Sequence, residues 1–171
     1  MKIIREEDGQ SIMEFAVILP LIILLAFAPV DIFRMAMMKM NIDSACVEAL
    51  NQVGGEEIRN GTAVDRINET VQNTYGDILP GICVDEFSYG PEQIREYDYY
   101  VYSSDQADRP AFPDRFEKRP SNYTYRKAVL RLSCGADSLT FAGRLFFGSH
   151  FTVKSDEVRK DIFIEGYNKE K

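Results

Sequence analysis

Residues 9–30 read GQSIMEFAVILPLIILLAFAPV, and this stretch decides the architecture of the chain. Its part from Phe15 to Val30 carries no charged side chain. At 1.5 Å per residue in a helix, that part spans roughly 24 Å. Flanking apolar residues lengthen the segment to residues 12–33, about 33 Å, which matches a hydrocarbon core of about 30 Å. The stretch therefore predicts a membrane-spanning helix.

We expect this segment to remain as an anchor rather than to be removed as a secretory signal peptide. A small-residue box stands at Ala26-Phe27-Ala28, but Pro29 would follow the cut, and the helical pattern continues beyond it. Lys and Arg are balanced on the two flanks and give no orientation. The short hydrophilic head favours a cytoplasmic N-terminus and an exported C-terminal part.

Two acidic residues lie in or beside the apolar segment, Glu14 and Asp31. A carboxylate within a bilayer costs several kcal/mol unless it is wetted or paired. For Asp31 we expect a position at the membrane interface, in contact with water. Glu14 lies within the predicted membrane segment, and a carboxylate there requires a partner or a function.

Composition excludes several classes of function. The chain has 171 residues, 20 basic and 27 acidic, and its net charge of −7 argues against nucleic-acid binding. The chain has one His and no Trp, so histidine catalysis is not indicated and a multi-histidine metal site is not expected. No hydrolase, zinc-protease or P-loop motif is present, so the sequence predicts no enzyme, no cofactor and no metal site.

The rest of the chain predicts an α+β fold, in which the long N-terminal transmembrane and stalk helix packs on a small, mostly antiparallel sheet. Apolar residues continue at helical spacing to Val53, and Gly54-Gly55 then end the helix, which gives a helix over 10–52 of about 65 Å. A second helix is expected over 62–75. Strands are expected over 82–89, 96–102, 125–134, 149–154 and 157–164, the last two as one long or two short strands. Residues 103–121, polar and rich in proline, are expected to form a flexible surface loop or a loop that contacts a partner.

The three cysteines are Cys46, Cys83 and Cys134. They show no paired C-x-x-C spacing, so a zinc site is not expected. We predict a disulfide between Cys83 and Cys134, since both fall in predicted strands of an exported domain. Cys46, on the stalk helix, is either a small buried apolar residue or pairs between subunits.

The head of the membrane segment resembles the processing site of type IV prepilins: a short hydrophilic leader, Gly9, then Glu14 and Phe15 entering an apolar helix. The closer resemblance is to the TadE-like minor pilins (pseudopilins) of tight-adherence (Tad/Flp) systems, whose helix opens with G-Q-[AS]-x-x-E-F-A-x-x-x-P. The matching residues are Gly9, Gln10, Ser11, Glu14, Phe15, Ala16 and Pro20.

This resemblance implies a pilin-like plan, with a leader over 1–9, a transmembrane helix over 10–33, a helical stalk over 34–53 and an extracytoplasmic α+β domain over 54–171. Prepilin peptidase would cut between Gly9 and Gln10. Glu14, about one turn beyond Gln10, could then pair with the new α-amine of its own chain or of a neighbour, since a paired charge is tolerated in low dielectric.

The resemblance also implies a function and partners. The chain is expected to be a single-pass protein of the cytoplasmic membrane that takes part in Tad pilus assembly for surface adherence, and to be incorporated in pili as an initiating, tip or shaft subunit. Its partners would be prepilin peptidase, other minor and major Flp-type pilins, the inner-membrane assembly platform and membrane lipid. The alternative is an uncleaved single-pass membrane protein whose extracytoplasmic domain binds or senses a ligand.

Overall fold

A computed structural model describes residues 6–102 and 116–168, with side chains described over 13–102 and 116–166. The predicted α+β class is confirmed: a long apolar N-terminal helix precedes a small antiparallel sheet. The part of the expected loop that lies at 103–115 falls outside the described residues.

Helix α1 runs without interruption over Glu6–Gln52, 47 residues or about 70 Å. It ends before Gly54-Gly55 as predicted, but it begins four residues earlier than the predicted start at Gln10.

Two short helices follow α1, namely α2 (Gly55–Asn60) and α3 (Ala63–Tyr75). Helix α3 agrees with the predicted second helix and buries Ile67 and Val71. Helix α2 was not predicted, because six residues are too few to show a helical period. Its Glu57 carboxylate accepts a hydrogen bond from the backbone N–H of Gly54 at 3.0 Å, which satisfies a donor at the helix start.

The described strands are β1 (Cys83–Tyr89), β2 (Gln93–Tyr102), β3 (Phe116–Asp137), β4 (His150–Lys154) and β5 (Val158–Asn168). The two closing segments are therefore separate strands. The largest difference from the prediction is β3, which has 22 residues and takes in residues 116–121 of the expected loop. Pro120 lies inside it, opposite Asp98 of β2.

Strand β3 is the centre of the sheet and pairs antiparallel with every other described strand. Along one edge it pairs first with β2, through Phe116–Tyr125, and then with β1, through Ala128–Ser133. Along the other edge it pairs with β5 and then with β4. Long strand pairings supply the hydrogen bonds that residues 116–121 would lack as a loop, which explains why they are extended.

The core lies between the second half of α1, α3 and one face of β3. Alternate residues of β3 point into it, as the predicted alternation requires. Its fully buried members include Ile42, Ala45, Ala49, Leu50, Ile67, Leu79, Ala128, Leu130 and Leu132. The small residues Ala45 and Ala49 let the helix approach the sheet closely.

A seven-residue helix, α4 (Phe141–Phe147), was not predicted. It begins after Thr140, whose side chain accepts a hydrogen bond from the backbone N–H of Gly143 at 2.9 Å. This is an N-cap of the usual kind. Helix α4 packs against α1 and thereby brings a distant part of the chain to the apolar helix.

Candidate functional site

The first half of α1, over residues 13–33, is mostly not covered by the rest of the protein, and we call it the bare half. Only 6% of its most apolar 18-residue window is buried inside the protein, whereas the core helix of a water-soluble protein would be mostly buried. Among the described residues it is the one helix long and apolar enough to cross a membrane. Its exposed large side chains include Met13, Phe15, Val17, Leu21, Ile22, Ile23, Leu25, Phe27, Val30, Ile32 and Phe33. This surface fits a single-pass membrane protein.

The motif residues all lie in the N-terminal part of α1. Gly9 and Gln10 are inside the helical backbone of α1, and Glu14 and Phe15 are exposed on it. Glu14 follows Gln10 by four residues, so the two positions share one face of the helix, about 6 Å apart along its axis. Glu14 and Phe15 are therefore accessible, whereas the motif residues Ala16 and Pro20 line a cavity that α4 also lines.

Both prolines of the segment, Pro20 and Pro29, stand within continuous helix. A proline removes a backbone donor and favours a kink, which neighbouring groups must compensate. Pro20 lies beside a cavity of about 680 Å³ between α1 and the start of α4. A packing role for Pro20 is consistent with that position.

The expectation that Asp31 is wetted at the membrane interface is wrong. Asp31 has no exposed surface, and its carboxylate accepts three hydrogen bonds. The donors are the backbone N–H of Leu139 at 2.9 Å, the backbone N–H of Thr140 at 3.0 Å and the Thr140 hydroxyl at 2.5 Å. The carboxylate is thus enclosed by the N-terminal end of α4, which provides hydrogen bonds in place of water.

Two further contacts hold this junction together. The guanidinium of Arg34 donates to the backbone carbonyl of Asp137 at 2.5 Å. Gly143 lies so close to the Asp31 carboxylate that a Cβ at that position would collide with it. A close approach of this kind requires glycine at residue 143. We name the set Asp31, Arg34, Thr140 and Gly143 the junction.

A second attachment lies one to two turns farther along α1. The ammonium of Lys39 binds Asp43 at 3.0 Å and Asp156 at 2.7 Å, and it also donates to the carbonyl of Lys154. Burial alone would lower the pKa of Lys39, but the hydrogen bonds to Asp156 and Asp43 outweigh burial and raise it. Lys39 therefore ties the second half of α1 to the turn between β4 and β5.

The predicted disulfide is not formed in the structure, where all three cysteines are free. Cys83 pairs with Ser133 across the β1–β3 ladder, and their side-chain Sγ and Oγ atoms are 3.4 Å apart. Cys134 is the next residue along β3, so its side chain points to the opposite face, where it is buried. Cys46 is fully buried and donates to the Leu130 carbonyl at 3.4 Å, which agrees with the apolar interpretation of that residue.

Sequence reasoning missed the junction, although its ingredients were visible. Asp31 is an ionisable residue near the end of the apolar run, and Thr140, directly before the apolar residues Phe141 and Ala142, is an available N-cap signal. Nothing in the sequence pairs these segments. Within the described residues, no group of three or more His, Cys, Asp or Glu side chains could hold a metal ion.

Comparison with known proteins finds one similarity, in the N-terminal helix. Residues 9–50 match the model of a protein family described as TadE-like protein, and the resemblance drawn from the motif is thereby confirmed over this segment. The match covers most of α1, including the junction residues Asp31 and Arg34. No curated protein and no solved structure matches the chain.

Over residues 9–50 the chain is therefore similar to TadE-like proteins, and this similarity suggests a membrane protein associated with a Tad pilus.

Proposed function

We propose that this chain is a minor pilin or pseudopilin that takes part in the assembly of a Tad/Flp-type pilus for surface adherence. The observation that carries the proposal is the coincidence of the family match with one continuous helix. The first half of that helix is apolar and exposed, and the second half is packed on a folded domain. Such a chain can move from a bilayer into a helical assembly without refolding its domain.

The boundary between the two halves supports the expected organisation. Before Asp31 the large side chains of α1 are mostly exposed, and from Met38 onward one face of α1 belongs to the core. We therefore assign residues 10–33 to the membrane, 34–53 to a stalk and 54–171 to an extracytoplasmic domain, with 1–9 as the leader. The assembly partners would be the platform in the inner membrane and other Flp-type pilins.

Leader removal would require local unwinding of α1. Prepilin peptidase is expected to take an extended backbone at the cut, whereas the Gly9–Gln10 bond lies three residues inside the helix. Glycine disfavours a helix interior by about 1 kcal/mol relative to alanine, so Gly9 eases that unwinding. Glycine at residue 9 thus has two effects: it eases access of the peptidase to the bond, and it leaves no Cβ beside the cut.

Glu14 has a separate role in this proposal. Cleavage creates a positive α-amine on Gln10, on the helix face that Glu14 shares. A carboxylate that leaves water for a low-dielectric assembly needs such a partner. The amine of the same chain or of an adjacent subunit supplies it.

Cleavage is tested by intact mass of the membrane-extracted protein from cells that have the peptidase. Gly9→Val should leave the full-length precursor, while the wild type should lose residues 1–9. Ser44→Val, a β-branched substitution at an exposed position of the same helix, is the matched control and should be processed normally. An intact Met1 terminus in the wild type would refute the pilin function and favour the uncleaved membrane anchor with a binding or sensing domain.

Assembly is tested by a piliation assay on the same cells. Glu14→Leu and Glu14→Gln should both be processed but should fail to enter pili, although neither hinders membrane insertion. Glu56→Gln removes an exposed carboxylate outside the motif and should assemble normally. Normal piliation with Glu14→Leu would remove the assigned role of this carboxylate and leave the processing result intact.

A further inference from the structure

Helix α4 and the residue before it expose an unusual amount of apolar surface for a folded domain. Phe141 is 78% exposed, and three further large side chains are more than half exposed: Leu139, Leu145 and Phe146. Within 139–147 the sequence carries one charge, Arg144. A contiguous apolar patch on a protein surface marks a contact with a partner or with a membrane.

The position of this apolar patch indicates what covers it. The cavity beside Pro20 is lined on one side by residues 139–142 and on the other by α1 residues from the centre of the apolar run, namely Ala16, Leu19, Pro20, Ile23, Leu24 and Phe27. Phe27 lies about 9 Å along the helix axis before Phe33, at the end of the membrane segment. The patch therefore lies beside helix residues that are at bilayer depth when α1 spans the membrane.

The junction fixes α4 in that place. Asp31 accepts hydrogen bonds from Leu139 and Thr140, and Gly143 is in direct contact with the same carboxylate. Arg34 also binds the backbone of Asp137. Insertion of α1 therefore carries α4 with it.

Several polar groups of this segment are bonded within the protein. Leu139 N–H and Thr140 N–H donate to Asp31, Gly143 N–H donates to the Thr140 hydroxyl, and Gly148 N–H donates to the Arg144 carbonyl. Each such bond lowers the cost of placing a backbone group in lipid, where no water can replace it. A long cation such as Arg144 can extend its charged end toward the interface.

We propose that residues 139–147 enter the half of the bilayer next to the folded domain, so that the domain contacts lipid at a second place beside its transmembrane helix. The inference rests on the membrane insertion of α1 that the proposed function includes. The immersed α4 encloses Asp31, and this protection explains how a carboxylate at the end of the apolar run avoids contact with lipid. It also fixes the height and tilt of the domain above the membrane before assembly.

The chain contains no tryptophan, so a single introduced tryptophan reports its own surroundings. The full-length protein is reconstituted into vesicles of phosphatidylethanolamine and phosphatidylglycerol, with or without brominated acyl chains that quench indole emission. Phe141→Trp is the test variant, and Leu145→Trp is a second reporter should the first disturb folding. Leu21→Trp, in the bare half of α1, reports insertion of the anchor, and Tyr100→Trp, exposed on β2, is the water-facing control.

We expect brominated lipid to quench Phe141→Trp to an extent comparable with Leu21→Trp and to leave Tyr100→Trp unchanged. Quenching of Leu21→Trp without quenching of Phe141→Trp and Leu145→Trp would overturn the inference and leave the membrane anchor intact. Absence of quenching in Leu21→Trp would instead refute the anchor on which the proposed function rests.

Dilution of the protein in the vesicles distinguishes contact of the patch with lipid from contact with a second copy of the chain. Quenching of Phe141→Trp that persists at one protein per vesicle supports contact with lipid. Protection of this tryptophan from both brominated lipid and aqueous iodide, seen only at many copies per vesicle, would assign the patch to contact between subunits and overturn the inference.

Discussion

The hydroxyl of Thr140 donates to the Asp31 carboxylate at 2.5 Å while its oxygen accepts from the backbone of Gly143, so that one side chain both caps α4 and anchors it to α1. The two residues are 109 positions apart in the chain. Their bond joins the membrane segment to the sheet domain at the level where the apolar run ends. The angle between helix and domain is therefore set by hydrogen bonds as well as by apolar packing.

Replacement of Asp31 by Ala should loosen α4. The change leaves the N–H groups of Leu139 and Thr140 without their acceptor, and a buried donor left unpaired costs about 1–3 kcal/mol. Hydrogen exchange of the full chain in detergent should show faster exchange over 139–147, with little change in α3. Asp65→Ala, an exposed carboxylate on α3, is the control. Unchanged protection over 139–147 would show that Asp31 does not hold this helix.

Replacement of Gly143 by Ala should disturb the same junction by steric collision. The added Cβ meets the Asp31 carboxylate, which belongs to a bonded and buried group and cannot move aside freely. Overpacking of this kind costs about 1–3 kcal/mol. Gly90→Ala is a matched control, because the nearest atom to its Cβ would be the Lys127 carbonyl oxygen at 3.8 Å. Equal denaturation midpoints for the two variants would contradict the close contact.

The Lys39 attachment predicts a loss of stability at high pH. The pKa of Lys39 is raised in the folded state above the ordinary value of 10.5. A group of this kind contributes its stability below its unfolded pKa, and that contribution disappears as the pH rises through the folded pKa. The effect is modest because the Lys39 side chain is 36% exposed.

Urea midpoints at pH 8 and above pH 10.5 measure this contribution. The wild type should lose more stability over that interval than Lys39→Gln, which has no charge to lose. Lys127→Gln serves as the control substitution, because Lys127 is exposed and should show the same pH dependence as the wild type. An identical alkaline loss in the wild type and Lys39→Gln would show that Asp43 and Asp156 do not stabilise the ammonium.

The cysteines should react in a fixed order. Cys83 is exposed, whereas burial raises the pKa of the Cys46 and Cys134 thiols and shields them from reagent. Iodoacetamide should therefore label Cys83 in the native protein and all three residues after denaturation, as peptide mass mapping would show. Cys83→Ser should abolish native labelling. If iodoacetamide labels Cys83 only after a reductant is added, the disulfide predicted from the sequence would be supported instead.

The membrane helix, the stop at Gly54-Gly55, helix α3 and most strand positions could be predicted because each depends on neighbours in the sequence. A helix shows its period over ten residues or more, and an alternating strand such as 125–134 shows its buried face directly. The extension of β3 over 116–121 was missed because proline and charged residues in that stretch resemble a loop. It becomes a strand by pairing with β2 on one side and, from Ser121 onward, with β5 on the other.

The sequence by itself determined the anchor, the Gly9–Glu14 motif and the order of helix before sheet, since these depend on local composition and spacing. Only the tertiary structure decided that Asp31 is enclosed rather than wetted, that α4 lies beside the membrane segment, and that Cys83 and Cys134 face opposite sides of a sheet. The partners of Asp31 are 108 and 109 residues away, and the facing of the cysteines depends on the register of β1 against β3. Long-range hydrogen bonds and strand register arise from packing of the whole chain, and a one-residue change of register reverses every side chain of a strand.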